Sequence, residues 1–264
     1  MRAPRVLPGL VDSHCHLQNE AFDGDREAVL DRARSAGITQ LLVPGYDRAS
    51  SEAAVELAAA HPEVLQAAVG IHPHYAAATS ETDWRGLEAL AADERVVAVG
   101  EIGLDFHRNL SPPPAQREAL ARQLALARDR RKPVLVHDRE AHAEVTAALL
   151  EWLGPGVGAL RGVLHCFSGS SAMALELASA GFAISFALPV TFRSAEGPRA
   201  AARALPAGAL LTETDSPWLA PGSGRRNEPT TALRVAAELA ALRGVDPADI
   251  AAQVAATYAA LLAR

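Results

Sequence analysis

The sequence predicts an α/β fold, a (β/α)8 TIM barrel, forming a single domain over residues 1–264. Three observations carry this expectation. Short apolar runs that end in polar residues recur about eight times, the number a barrel of this length needs. Ala-, Leu-, Arg- and Glu-rich segments of helical period lie between them, and such alternation points to a parallel sheet covered by helices. The third observation is placement: histidines and carboxylates gather at the C-terminal ends of the apolar runs, whereas chance would scatter them over strand starts and helix surfaces. A doubly wound open sheet is the alternative for the same alternation.

The strands are expected in GLVDSHCHL, ITQLLVPG, LQAAVGIHPH, RVVAVGEIGLD, KPVLVHDR, GVLHCFSG, FAISFAL and ALLTETDSP. Helical spacing marks residues 26–36, 50–60, 116–130, 141–152 and 172–180, and two further stretches, 230–242 and 247–262, close the chain. No Pro/Gly/Ser-rich linker or block of like charge divides it. In the first run, His14 and His16 are two residues apart, so a strand would project both to one face with Asp12 behind them. Such a pair is either two hydrogen-bonded histidines or half of a metal site, and the pair alone does not decide.

Composition narrows the classes. Hydrophobic residues make up 49% of the chain, enough for a large core. The formal net charge of −6 lacks the basic footprint of a tight, non-specific nucleic-acid binder. It leaves room for an enzyme that holds a few phosphates with metal ions and local arginines. The two cysteines, Cys15 and Cys166, offer neither a disulfide framework nor a Cys-x-x-Cys zinc motif, and both read as packing residues. The N-terminal stretch lacks an apolar leader core, and the lightly charged segment 169–192 is broken by Gly181. A cytoplasmic protein with no membrane span and no obligate protein partner is expected.

Six residues form the constellation that matters. His14 and His16 belong to the first strand, Glu101 to the fourth, His137 to the fifth, His165 to the sixth and Asp215 to the eighth. In a barrel these ends converge on one mouth, where barrel enzymes keep their chemistry. Mixed nitrogen and oxygen donors suit zinc, manganese or similar divalent ions. Six donors exceed what a single open catalytic zinc takes. Two ions sharing a carboxylate account for the number, and Glu101 is the natural bridge because its strand lies between the two groups of donors.

The motifs DSHCHL, GIHPH, GEIGLDF, VLVHDR, HCFSG and ETDSPWL, followed by RRNEP, resemble in their order the TatD family of metal-dependent deoxyribonucleases, within the amidohydrolase superfamily. The resemblance covers nearly the whole chain. It implies a (β/α)8 barrel with one or two divalent ions, whether Zn, Mn or Mg, that hydrolyses phosphodiester bonds in DNA. Carried over by motif, His14, His16, Glu101 and Asp215 hold one ion, and Glu101, His137 and His165 the other. Two positions depart from the family pattern: Tyr258 stands where an Asn is frequent, and Leu188 where a small residue is usual. Many binuclear amidohydrolases bridge their metals with a carboxylated lysine. The sole lysine here, Lys132, enters the fifth strand at the opposite end of the barrel, so Glu101 must serve.

The expected reaction is 3′-5′ exonucleolytic cleavage of single-stranded DNA by a metal-activated water, with Asp215 and Glu101 as catalytic residues and Asp215 taking the proton. His72, His74, Arg139, Arg225, Arg226 and Trp218 are the expected substrate contacts, the arginines for phosphate and Trp218 for a base. Asp105 is expected to orient a histidine or cap a loop, and Glu213 to support the site or pair with an arginine. A metal-dependent hydrolase of another bond, such as an aminoacyl-tRNA ester, a lactone or an amide, is the alternative. A non-catalytic scaffold predicts lost donors, yet all six are present. DNA repair is the cellular role that the resemblance suggests.

Overall fold

Apolar runs too short for a helix and buried on both faces are what a parallel sheet covered by helices requires, and the computed structural model arranges them so. It describes residues 5–153 and 160–263. The first residues of the stretch read for a leader, and the parts of the single-domain span at 1–4, 154–159 and 264, lie outside the described residues. The strands are β1 (Leu10–Asp12), β2 (Ile38–Pro44), β3 (Leu65–Val69), β4 (Val96–Asp105), β5 (Val134–Arg139), β6 (Gly162–Leu164), β7 (Phe182–Phe186) and β8 (Leu210–Thr212). All neighbours are parallel and follow sequence order. Sequential order identifies the barrel and excludes the doubly wound sheet, whose order reverses at a switch point.

Closure between β1 and β8 is made by the chain just past β1. Ser13 N–H donates to the Thr212 carbonyl at 2.9 Å, and the Thr212 hydroxyl donates to the Val11 carbonyl at 2.7 Å. The helices are α1 (Arg26–Ser35), α2 (Arg48–Ala60), α3 (Glu81–Leu90), α4 (Pro113–Arg130), α5 (His142–Leu153), α6 (Ser171–Ser179), α7 (Glu196–Ala204), α8 (Ala232–Arg243) and α9 (Pro247–Leu262). Their ends follow local chemistry. Asp47, Ser80 and Asp246 close capping boxes that satisfy the first orphan N–H groups of α2, α3 and α9. Gly244, at φ +68°, ends α8 in the left-handed conformation that glycine adopts without penalty.

The expected helices appear within a few residues of their predicted limits, but α3 and α7 were not anticipated. α3 buries only Trp84 and Leu87, and α7 buries only Ala201 and Ala202 and carries Gly197 and Pro198 in its first turn, so large apolar residues are too few to mark either as a helix. Tyr258 is buried, and its hydroxyl donates to Gln66 Oε1 at 2.9 Å; Leu188 is buried in a short 3-10 turn after β7. Lys132 lies at the N-terminal entry to β5, where its Nζ donates to the Asp93 carbonyl at 2.7 Å, far from the strand ends that carry the histidines. No helix among the described residues is long and apolar enough to cross a membrane.

Candidate metal centre

The first strand ends at Asp12, so His14 and His16 stand past it and not within it as expected. They still point one way because the chain continues pairing with the segment after β8. Asp215 N–H donates to the His14 carbonyl at 2.9 Å, and His16 N–H to the Ser216 carbonyl at 2.7 Å. Cys15 faces outward, buried, with its thiol toward the Leu42 carbonyl. Asp12 stitches the two segments. Its carboxylate accepts the Thr214 N–H at 2.9 Å, the Thr214 hydroxyl at 2.6 Å and, at 3.3 Å, the His14 N–H. Asp215 sits at φ +54°, a left-handed conformation costly for a non-glycine residue, and the turn brings its carboxylate toward the histidines.

On the other side, β4 must approach β5 closely. A Cβ at Gly103 would lie 1.9 Å from the His137 carbonyl oxygen, so no larger residue fits. This approach puts Glu101 among the imidazoles. Its Oε2 lies 3.4 Å from His14 Nε2 and 3.6 Å from His16 Nε2. Its Oε1 lies 2.9 Å from His165 Nε2, 3.2 Å from His137 Nδ1 and 3.3 Å from His72 Nε2. Asp215 Oδ1 faces the first pair, 3.8 Å from His14 Nε2 and 3.5 Å from His16 Nε2. The structure therefore brings together all six residues expected as donors.

Three of the rings face a group behind them that sets which nitrogen turns inward. His16 Nδ1 donates to the Pro44 carbonyl at 3.0 Å, leaving the Nε2 lone pair toward the cluster. His137 turns Nε2 to Asp105 Oδ2 at 3.2 Å and its Nδ1 inward. His165 turns Nδ1 to Glu213 Oε1 at 3.3 Å, and the same oxygen accepts the Cys166 N–H at 2.7 Å. His14 is held instead by stacking on His165, with ring centroids 4.0 Å apart at 14°. His72 differs. Its Nδ1 accepts the His74 N–H at 3.1 Å, so the neutral ring carries its proton on Nε2 and donates toward Glu101.

The electrostatics agree with these orientations. Burial alone would raise the Glu101 carboxyl, but the surrounding His165, His72 and His14 hold it well below the usual carboxylate range. Burial opposes charge on His165 and His137 as well, yet Glu101 and Glu213 push His165 well up, and Asp105 and Glu101 push His137 up. Burial lowers His14, helped by His165, and brings His72 down to about 4, so that ring is neutral near pH 7. Asp215, despite burial, is held down by its contact with His16 and by His165 and His14.

The sequence-predicted substrate residues separate into two sets. His72, His74, Arg139 and Trp218 line the same cavity of about 730 Å³ as the expected donors other than His14, which is fully buried behind it. His74 Nε2 lies 2.8 Å from Asp105 Oδ2, the oxygen that also meets His137. Arg139 forms no ion pair with a carboxylate among the described residues, and neither does Arg108, a rim residue the motifs did not single out. Arg225 and Arg226 lie outside the lining. Arg226 is a correction: it grips both oxygens of Asp25 at 2.7 and 2.8 Å and covers the Phe22 ring at 4.4 Å, locking the segment after β8 onto the one after β1. Arg225 is exposed. Phe167 is core, and Phe106 packs half-buried against the core under Arg117. Asp105 both orients a histidine and caps a loop, accepting the Arg108 N–H at 2.7 Å.

The donor set fits a divalent ion. His14, His16 and Glu101, and likewise His14, His165 and Asp215, present ligand atoms within 4.8 Å of one another, and His72, Glu101 and His137 form a third such group. The two inward nitrogens of His14 and His16 face each other at 3.0 Å. With the His16 proton fixed on Nδ1, a cation on the inward side satisfies both rings and both carboxylates.

Comparison with known proteins agrees with this geometry. A family model described as TatD related DNase matches residues 11–263. The uncharacterized metal-dependent hydrolase YabD of Bacillus subtilis (strain 168) is 38% identical over 244 residues, covering 92% of this chain and 94% of that protein. The 3′-5′ ssDNA/RNA exonuclease TatD of Erwinia amylovora is 38% identical over 259 residues, covering 96% and 99%. Among solved structures, the TatD homologue YJJV of Escherichia coli K12 superposes with a TM-score of 0.87 at 33% identity, covering 96% of this chain and 97% of that one.

Proposed function

The chain belongs to the TatD related DNase family, and from that premise we propose that it is a metal-dependent exonuclease that removes nucleotides from the 3′ end of single-stranded DNA. One observation carries the proposal. Glu101 presents Oε2 to His14 and His16 and Oε1 to His137 and His165, so one carboxylate serves two sets of nitrogen donors. Two divalent ions, of Zn, Mn or Mg, fit this division, with Asp215 completing the first set. When bound, such ions activate water and neutralise charge on the phosphate oxygens.

The chain's own groups then have distinct tasks. Asp215, ionised and facing the cavity, accepts the proton of the attacking water at Oδ1. Neutral His72, whose Nε2 proton points toward Glu101, shares that proton with a phosphate oxygen bound beside the carboxylate and stays outside the ligand set. His74 is turned toward the same lining by Asp105. Arg139, with no carboxylate partner among the described residues, grips a non-bridging oxygen through its planar fork. The whole chain acts as one domain, a reading supported by the continuous hydrophobic core that joins all eight strands.

The test follows a 5′-labelled single-stranded DNA oligonucleotide, and an RNA of the same sequence, with metal-free protein resupplied in turn with Mg²⁺, Mn²⁺ and Zn²⁺. A ladder shortening from the 3′ end, dependent on metal and absent in Glu101→Ala, is the expected result. Protein that holds metal yet cleaves neither strand under any ion overturns the nuclease reading in favour of an ester or amide substrate.

A further inference from the structure

The chain is poor in large polar aromatics: three tyrosines and three tryptophans among 264 residues. Half of these six gather at the cavity, where Tyr46, Tyr75 and Trp218 all line the wall. They come from the loops after β2, β3 and β8, an arc of the mouth separate from the one after β4 and β5 that carries Arg108 and Arg139. Tyr258 and Trp84 are buried in the core, whereas Tyr75 and Trp218 leave 41% and 46% of their surface exposed.

Their geometry is that of a corner. The Tyr46 and Tyr75 rings are stacked, 23° apart with centroids at 5.7 Å, and present nearly parallel faces as one wall. Trp218 meets Tyr46 at 69° and 6.4 Å, making the second wall. The corner starts at the metal cluster itself: His16 touches Trp218 at 4.7 Å and Tyr46 at 5.6 Å. A group that fits here is flat, aromatic and tethered to whatever sits at Glu101.

We propose that Tyr46, Tyr75 and Trp218 form a base-stacking subsite for the terminal nucleotide, which enters with its phosphate toward the Glu101 cluster and its base in the aromatic corner. The inference rests on the nuclease reading and extends it to the Tyr46–Tyr75 wall. Stacking tolerates every base because every base has a π face, and it strengthens with ring area, so purines are favoured over pyrimidines. A terminal base in a duplex is held by its pairing partner and by the stack beneath it, so seating it in the corner costs both, and the corner therefore selects unpaired ends.

The test needs no turnover. Equilibrium binding to the metal-loaded chain is measured by calorimetry with dAMP, dCMP and deoxyribose 5-phosphate, which share a sugar phosphate and differ in the base. The expected order is dAMP, then dCMP, then deoxyribose 5-phosphate, with dAMP roughly 5- to 100-fold tighter than the probe without a base. Tyr75→Ala should reduce that advantage to about threefold or less while leaving deoxyribose 5-phosphate unchanged, and Trp218→Phe should keep most of it. If deoxyribose 5-phosphate binds as tightly as dAMP, or Tyr75→Ala and Trp218→Ala both keep the full advantage, the subsite is wrong and the phosphate site stands. If none of the three probes binds, the nuclease reading fails and takes the subsite with it.

Discussion

Glu213 tests whether the site depends on groups behind the donors. It is fully buried, its Oε1 accepts the Cys166 N–H at 2.7 Å and meets His165 Nδ1 at 3.3 Å, and its Oε2 has no partner. Glu213→Gln keeps the shape and one acceptor but removes the charge. At 3.3 Å the gross attraction between unit charges is about 5 kcal/mol at an effective dielectric of 20. Most of it is offset by desolvation. What survives is the effect on a metal-bound imidazole, where losing such a partner costs about 10- to 100-fold in affinity, or about 1.4–2.8 kcal/mol. The assay is metal content against a chelator of known affinity, and the variant should release metal at proportionally lower chelator. A second readout is pH. In metal-free protein the His165 pKa is raised, chiefly by Glu101 and Glu213 working against burial. Its contribution to stability is therefore complete below the unfolded value and lost as pH rises through the raised folded value. Glu213→Gln should flatten that slope in urea-unfolding measurements. Chelator curves and pH slopes that both overlay the wild type would refute the reasoning and leave Glu213 as a packing residue.

Three further outcomes are expected. His72→Phe should retain full metal content yet lose about 100-fold or more in kcat, the cost of one donor aimed at developing charge; loss of metal would instead put His72 among the ligands. Thr214→Val deletes the 2.6 Å hydroxyl bond to buried Asp12 and should cost about 1–3 kcal/mol in urea unfolding, whereas an unchanged midpoint would mean that this stitch adds nothing. Arg226→Ala should leave turnover within about twofold, because its guanidinium is held by Asp25 and the effect of an exposed pair is small. The Asp25 carboxyl, held down to about 2 chiefly by Arg226, contributes stability above its ordinary range that is lost as pH falls toward 2, and the variant should lose that dependence; a large fall in turnover would return Arg226 to the substrate path.

The barrel was legible because its two periods are local: apolar runs of strand length, and helical spacing between them. The convergence of the six expected donors was legible because they end those runs, and a barrel brings strand ends together whatever the loops do. What escaped the sequence is non-local. Period-2 alternation gave the shared direction of His14 and His16, but the cause is pairing with Asp215 and Ser216, some 200 residues away. Arg226 read as a mouth residue because nothing in RRNEP reveals that Asp25 lies against it. Tyr46 and Tyr75 lie in loops, the latter directly after GIHPH, and neither signals a partner in its own segment, because their joint wall exists only once β2 and β3 are adjacent.

These long-range holds bear on how metal and folding are coupled. His16 is fixed by a carbonyl of β2, His137 by a carboxylate of β4, and His165 by a carboxylate after β8. Each ring is thus oriented by another strand, so closing the barrel already assembles the donor set. That assembly brings the His14 and His16 nitrogens to 3.0 Å and the Glu101 and Asp215 carboxylates to their side. The core beneath the cluster is built from all eight strands and does not depend on the donors. Metal should therefore stabilise a barrel that folds without it, unlike a zinc finger, which is unfolded without its ion. At 100 times its Kd, one ion adds about 2.7 kcal/mol. Thermal unfolding with chelator, then with Zn²⁺ or Mn²⁺, should give two cooperative transitions separated by several degrees. Loss of the cooperative transition in chelator would show that the donors are assembled by the ion and not by barrel closure.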